Sequence, residues 1–248
     1  MEKHDKISWE IRQDVGIITL DNPPENYLVE PEFVPLEVLR KWTSYDYLRG
    51  ILIIGAGKHF SGGGKLDQLF NLIRAKEDLM VKMQRGKAVL DHLEYLNIPV
   101  VAAIQGICFG GGLEIALACH IRICAENTLF AFPEVNQGII PGLGGTVRFN
   151  MMTGFTVALK TILSGDVINA EDALEIKLVD FVVAKSRLFD FSFRLVQKMT
   201  KDRPLQVIHA VMQALQNART LPKEEAMREE TRLFCELALE EAKRRNGN

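Results

Sequence analysis

Glu114 and Glu134 are the side chains of this sequence best placed to do chemistry, and the glycines beside them say which kind. Gly110, Gly111 and Gly112 separate an apolar run at 99–104 from a helix-like segment at 113–118. Glycine stands where a backbone must turn sharply or approach a ligand with no Cβ in the way. Three in succession between a strand and a helix leave N–H groups free at a helix N-terminus, a site for negative charge. Glu114 falls on the first helical turn and Glu134 follows Pro133 in the next loop. Two acids beside a polarised pocket are the parts of general acid–base chemistry on a substrate that becomes anionic. Taken singly, each piece also has a structural reading. The glycines can be close-packed turns, Glu114 a partner of the helix dipole, and Glu134 a cap.

The elements that must hold these residues read as a mixed α/β array. Residues 51–54 and 99–104 are apolar runs typical of strands buried on both faces. Helical patterns at 65–73 and 79–96 lie between them, so strand, helix and strand form a right-handed crossover in a parallel sheet. A glycine loop follows each strand, at the carboxyl edge where open α/β sheets bind ligands. Before this unit, 7–12 and 15–20 read as a hairpin around Asp14. Phe33, Leu36, Leu39 and Trp42 give helical spacing to 31–42, with Pro35 in the first turn. After it come short strands at 120–125 and 129–132 and helices at 144–152, 156–163 and 170–176. Asn169 is placed to cap the last of these. A strand at 179–183 ends the mixed region, and 188–199, 205–216 and 223–245 are helical. The division is an α/β core at 1–184 and a helical region at 185–248.

Composition excludes several classes. The 248 residues are 47% hydrophobic and 25% charged with a net charge of −2, and no basic footprint suggests a nucleic-acid partner. The N-terminal residues are charged, with no apolar signal region, and no run approaches a membrane span. Cys108, Cys119, Cys124 and Cys235 form no CxxC pair, and three lie in apolar surroundings. These observations point to a reduced, metal-free protein of the cytoplasm or an organelle matrix. His59 and His120 have no evident partner and read as structural. Gly55-Ala56-Gly57 opens like a dinucleotide fingerprint, but Phe60 stands at the last glycine. Gly64-Lys65 ends like a phosphate loop, but His59 replaces its first glycine and Leu66 its hydroxyl residue.

Together, HFSGGGKLDQL, IPVVAAIQGICFGGGLEIALACHIRIC, FAFPEVNQGIIPGLGGTVRF and LSGDVINAEDALEIKLVD resemble the enoyl-CoA hydratase/isomerase (crotonase) superfamily. The resemblance runs from about residue 7 into the C-terminal helices. It implies a crotonase-like ββα spiral with a C-terminal helical region used in trimer formation, as a homotrimer or a dimer of trimers. It also implies an acyl-CoA thioester substrate, with an acyl carrier protein thioester as the other carrier. Coenzyme A is then part of the substrate and no separate cofactor is expected. Carried residue by residue, the oxyanion-hole amides fall on Gly64 and Gly111 and the catalytic acids on Glu114 and Glu134. Substrate contacts fall on Gly62, Lys65, Leu66 and Asp67, and Gly142 falls on a turn that helps position water.

The chemistry explains the residue types. A thioester carbonyl gains negative charge as C2 becomes enolate-like, and each fixed N–H donor stabilises that charge by about 3 kcal/mol. Two glutamates can hold one water between them for syn addition to a trans-2-enoyl thioester. The rivals are an isomerase using Glu134 alone, a decarboxylase, and a non-catalytic RNA-binding member of the same fold. One departure from the family pattern is Lys65, where an acid is usual. A cation there can meet a phosphate or an acidic acyl tail. The amphipathic face of Leu205, Ile208, Met212 and Leu215 is the expected interface between subunits.

Overall fold

In a computed structural model, residues 2–76 and 78–246 are described, without the side chains of Leu66, Gln68 and Leu69. The chain opens with three antiparallel strands, β1 (Glu2–His4), β2 (Ile7–Arg12) and β3 (Val15–Leu20). Helix α1 (Leu36–Thr43) leads to β4 (Gly50–Gly55). Helices α2 (Leu66–Arg74) and α3 (Leu79–Glu94) cross over to β5 (Val100–Ile104). Next come β6 (Ile107–Phe109), α4 (Gly111–Ala118), β7 (Ile121–Ala125) and β8 (Leu129–Ala131). A 3₁₀ turn (Pro133–Gln137) precedes α5 (Gly145–Thr153), α6 (Phe155–Ser164), β9 (Ile168–Asn169), α7 (Ala170–Glu175) and β10 (Phe181–Val183). The last helices are α8 (Leu188–Thr200), α9 (Leu205–Thr220) and α10 (Lys223–Asn246).

Seven strands form one sheet in the order β1-β2-β3-β4-β5-β7-β10, and from β3 onward every pairing is parallel. Side chains alternate across a strand, and here both faces are covered. Ile18, Ile51, Ile53, Val100 and Ala102 face one core with Leu39, Leu90 and Ile115. Val15, Ile17, Leu52, Val101 and Ala103 face a second core closed by Leu188 and Val196 of α8. That is why residues 51–54 are continuously apolar. A Cβ on Gly50 would come within 2.5 Å of Val196, so α8 lies hard against the sheet.

Of a smaller sheet, β6-β8-β9, the pattern shows only β8, as the short strand at 129–132; β6 and β9, three and two residues long, leave no alternation to read. Gly106, at φ +62, bends the chain from β5 into β6. Helix α1 is shorter than the spacing predicts. Pro35 is its extended N-cap at ψ 134, and Glu32 accepts the Leu36 N–H at 3.0 Å. The residue before a proline is disfavoured in helical conformation, which keeps Val34 and its predecessors out of the helix. Asn169 caps α7 by accepting the Asp172 N–H at 2.9 Å, as its position predicts.

The C-terminal helices differ from expectation in one respect. Leu205, Ile208 and Met212 pack on the chain's own main core, and of the predicted interface face only Leu215 stands 59% exposed. Helix α10 packs along α9. No described helix is long and apolar enough to cross a membrane.

Asn26 ties the N-terminal region to the first glycine loop. It is buried at φ +52, and its Nδ2 donates to Ala56 O at 2.8 Å and His59 O at 2.7 Å. Its Oδ1 accepts the Asn22 N–H at 3.0 Å, and its carbonyl accepts from Ser61 Oγ at 2.7 Å. Asn26→Ala strands those buried carbonyls and puts alanine at a positive φ. The expected loss is about 2–4 kcal/mol of stability, read as a lower urea midpoint at unchanged slope; a midpoint equal to the parent's would show that the loop does not rely on this side chain.

Candidate active site

Two glycine loops meet at the carboxyl edge of the main sheet. Gly63, at φ +79, lets them touch: a Cβ there would sit 2.6 Å from Phe109 O and 3.0 Å from Gly111 N. A Cβ on Gly111 would lie 3.7 Å from Gly64 N. The amides of Gly64 and Gly111 are thus close neighbours. Neither donates to an acceptor among the described residues. Ser61 holds the first loop, accepting the Gly63 N–H at 3.1 Å, and Leu28 N–H donates to Gly63 O at 2.9 Å.

Both glutamates reach the same cavity, of about 530 Å³, which Gly64 and Gly111 also line. Glu114 lies on α4, 2% exposed, and its Oε1 accepts the N–H groups of Leu143 at 2.6 Å and Gly145 at 2.7 Å. Gly145 has to be glycine, because a Cβ would stand 2.9 Å from the Glu114 side chain. Burial pushes the Glu114 carboxyl up to about 7. The Gly145 and Leu143 amides and the Arg148 charge pull the other way, and the Glu134 charge adds to the rise. Glu134 lies in the 3₁₀ turn against Gly110, where an added Cβ would meet Oε1 at 2.5 Å. Its Oε2 is buried with no partner among the described residues. Burial raises its carboxyl too, opposed by its own backbone N–H.

Gly62, Lys65 and Gly142 line this cavity as well. Gly142 faces Met83, whose Cε would be 2.4 Å from an added Cβ. Lys65 Nζ sits 4.4 Å from the centre of the Tyr27 ring, which itself packs against Gly62. Asp67 is exposed on the first turn of α2 and does not line the cavity. The Leu66 side chain lies outside the described residues. The rest of the wall is mostly apolar, from Leu28, Val29, Leu72, Leu79, Met83 and Ile140, with Glu30 and Gln137 as its other polar side chains. A larger cavity, of about 740 Å³, lies beneath α9, where Glu94 is the only described acid, so it has no acid pair. His59 and His120 do have partners, and these are backbone groups that suit the structural reading: each Nδ1 accepts a backbone N–H, from Ile107 and Val100. Among the described residues no group of three His, Cys, Asp or Glu is placed to hold a metal ion.

Sequence reasoning did not find Tyr27, Asn26, or the amides of Leu143 and Gly145. The glycine pair of IPGLGGT marks the turn that supplies those amides, but nothing in it says which side chain they meet.

The model of the enoyl-CoA hydratase/isomerase family matches residues 10–248. A probable enoyl-CoA hydratase of Bacillus subtilis is 33% identical over 232 residues, 93% of this chain and 89% of that protein. A fatty acid oxidation complex subunit alpha of Idiomarina loihiensis is 35% identical over 232 residues, 89% of this chain and 32% of that longer one. The crystal structure of an enoyl-CoA hydratase from Bacillus anthracis superposes with a TM-score of 0.82 at 28% identity, covering 92% of this chain and 89% of that one.

The buried acid makes stability depend on pH. An unfolded glutamate ionises near 4.5, and folded Glu114 near 7. The folded state therefore holds the extra proton between those values, so this group's contribution falls as pH rises through the window. Above it, the charged form costs about 3 kcal/mol. Glu114→Gln, whose amide oxygen can accept the same two N–H bonds, is expected to match the parent below pH 4.5 and to gain on it up to pH 7; parallel urea titrations at pH 5 and pH 8 check this, and equal offsets at both would contradict it.

Proposed function

Because the chain belongs to the enoyl-CoA hydratase/isomerase family and is an enzyme of that family, we propose that its reaction is the hydration of a trans-2-enoyl thioester. One observation carries the reading: the buried Glu114, held by two N–H donors, and the half-buried Glu134, whose Oε2 has no partner among the described residues, share a cavity with two unspent backbone amides. The thioester oxygen is assigned to the amides of Gly64 and Gly111, which form the oxyanion hole and offset the charge that develops as C2 becomes enolate-like. Donors favour a carboxylate and their absence favours the neutral acid. Glu114, which ionises at about 7 and whose carboxylate two N–H donors then stabilise, is assigned as the base that takes a proton from water as oxygen attacks C3. Glu134, whose Oε2 has none, is assigned as the acid that delivers a proton to C2. Both act from one wall, which makes the addition syn. A proton then passes from Glu114 back to Glu134, directly or through water, and restores the pair.

The apolar wall suits the acyl chain. Coenzyme A enters as part of the substrate, and the acyl carrier protein thioester is the alternative carrier. Gly62 and Lys65 are assigned to the thioester arm, with Lys65 braced on Tyr27 where a phosphate or an acidic acyl group can meet it. Comparing crotonyl, longer and carboxylated enoyl thioesters with Lys65→Asp tests that role, and equal kinetic constants across them would remove it. Gly142 is assigned to the turn beside the attacking water.

The experiment is a hydration assay on crotonyl-CoA. Glu114→Gln and Glu134→Gln are each expected to lower the rate by about 10²–10⁴-fold with little change in thioester binding. The double variant is expected to fall well short of the product, since the two acids act on one water. Loss confined to Glu134→Gln, with a parent enzyme that moves a 3,4 double bond to 2,3, would replace hydration by isomerisation. Phe155, Leu163 and Phe234 are 72%, 69% and 70% exposed on α6 and α10, and closed symmetry covers such surface. A homotrimer or a dimer of trimers is expected in light scattering at micromolar concentration, and a monomer there would reject it.

A further inference from the structure

Arg148 is a buried cation whose guanidinium reaches the turn that holds Glu114. It projects from α5 and is 9% exposed. Its Nε donates to Glu94 Oε2 at 2.7 Å and its Nη2 to Asp91 Oδ1 at 2.5 Å, both on α3. Its Nη1 donates to Leu143 O at 2.9 Å. The backbone repeats the grip, since Arg148 N–H donates to Gly144 O at 2.9 Å. Gly144 makes room for this: it sits at φ +99, and a Cβ there would lie 2.5 Å from Nη1. On either side of Gly144, the amides of Leu143 and Gly145 converge on Glu114 Oε1. One planar fork thus ties α3 to the carbonyl of a turn whose amides hold the acid. A fork of fixed geometry can do this where a single ammonium cannot.

We propose that Arg148 is a positioning residue: by pinning the Leu143 carbonyl to α3, it keeps the Leu143 and Gly145 amides on Glu114 Oε1 and leaves the other carboxyl oxygen facing the cavity. The consequence for catalysis rests on reading Glu114 as an acid–base group. The charged groups facing Glu114 among the described residues are Glu134 from the 3₁₀ turn and Arg148 from α5. Behind Arg148 stand Asp91 and Glu94 of α3, with Arg219 of α9 paired to Glu94 at 3.3 Å. Arg148 thus acts through both geometry and charge, and two variants separate them. Arg148→Lys keeps the charge and loses the fork. Arg148→Met loses both.

The test combines the pH profile of crotonyl-CoA hydration with carbon-13 NMR of glutamate-labelled protein, Glu114→Gln identifying the Glu114 carboxyl signal. Arg148→Lys is expected to lower kcat by about 10²-fold, the cost of a small misplacement of a reacting group. KM should stay within about threefold, and the profile should keep its limbs. Amide exchange at Leu143 and Gly145 should speed up. Arg148→Met is expected to lower kcat similarly and to move the Glu114 titration upward by about one pH unit, because a nearby positive charge favours the carboxylate. A folded Arg148→Met with the parent's kcat, profile and carboxyl titration would overturn the proposal. If that variant does not fold, parent-like kcat and amide exchange in Arg148→Lys overturn it. The NMR titration and exchange need no turnover. A Glu114→Gln protein that hydrates at the parent rate would therefore refute the acid–base reading and leave the positioning claim to be decided by those two measurements.

Discussion

The structure depends on the contact between two stretches of backbone that carry no side chains where they meet. Gly63 lies against Phe109 O and Gly111 N, and a Cβ on Gly112 would stand 2.7 Å from both Cβ and O of Ser61. Such an approach is open to glycine alone. It brings together the loops that follow the paired strands β4 and β5, and it leaves Gly64 and Gly111 lining one cavity with N–H groups that no acceptor among the described residues takes up. Asn26 and Ser61 then spend their hydrogen bonds on holding the loops in place. The stabilisation spent on this loop geometry is the cost of keeping two donors unpaired and aimed.

Around that contact, burial and hydrogen bonding compete over the two acids. Burial pushes both carboxyls towards the neutral form. At Glu114 two amides and a guanidinium work against it, and the balance falls at about 7. At Glu134 only its own N–H does so. The same element type, a glycine-rich turn at the start of a helix, therefore serves two ends. Before α4 it leaves amides free, and before α5 it donates them to a side chain.

Much of this was legible in the sequence, for particular reasons. The parallel core showed because residues 51–54 and 100–104 are buried on both faces and so are apolar without a break. The paired glycine loops showed because glycine has few other reasons to recur there. The short sheet showed only in its β8 strand, since strands such as Ile107–Phe109 are below the length at which alternation can be seen. Nor did the direction of the α9 face, because periodicity marks which residues are covered and not what covers them. Leu205, Ile208 and Met212 turned out to be covered by their own chain. Among site residues, the acids could be read from type and place. Asp67 could not be separated from its cavity-lining neighbours, because one step along a helix start turns a side chain about 100°.

The small sheet also serves as a ruler. Glu114 follows β6 and Glu134 follows β8, and these strands pair in parallel with Phe109 opposite Ala131. The spacing of the acids is thus set by a ladder only three residues long. A slip of one residue along it would displace one acid from the other by about 3.3 Å and turn its strand over.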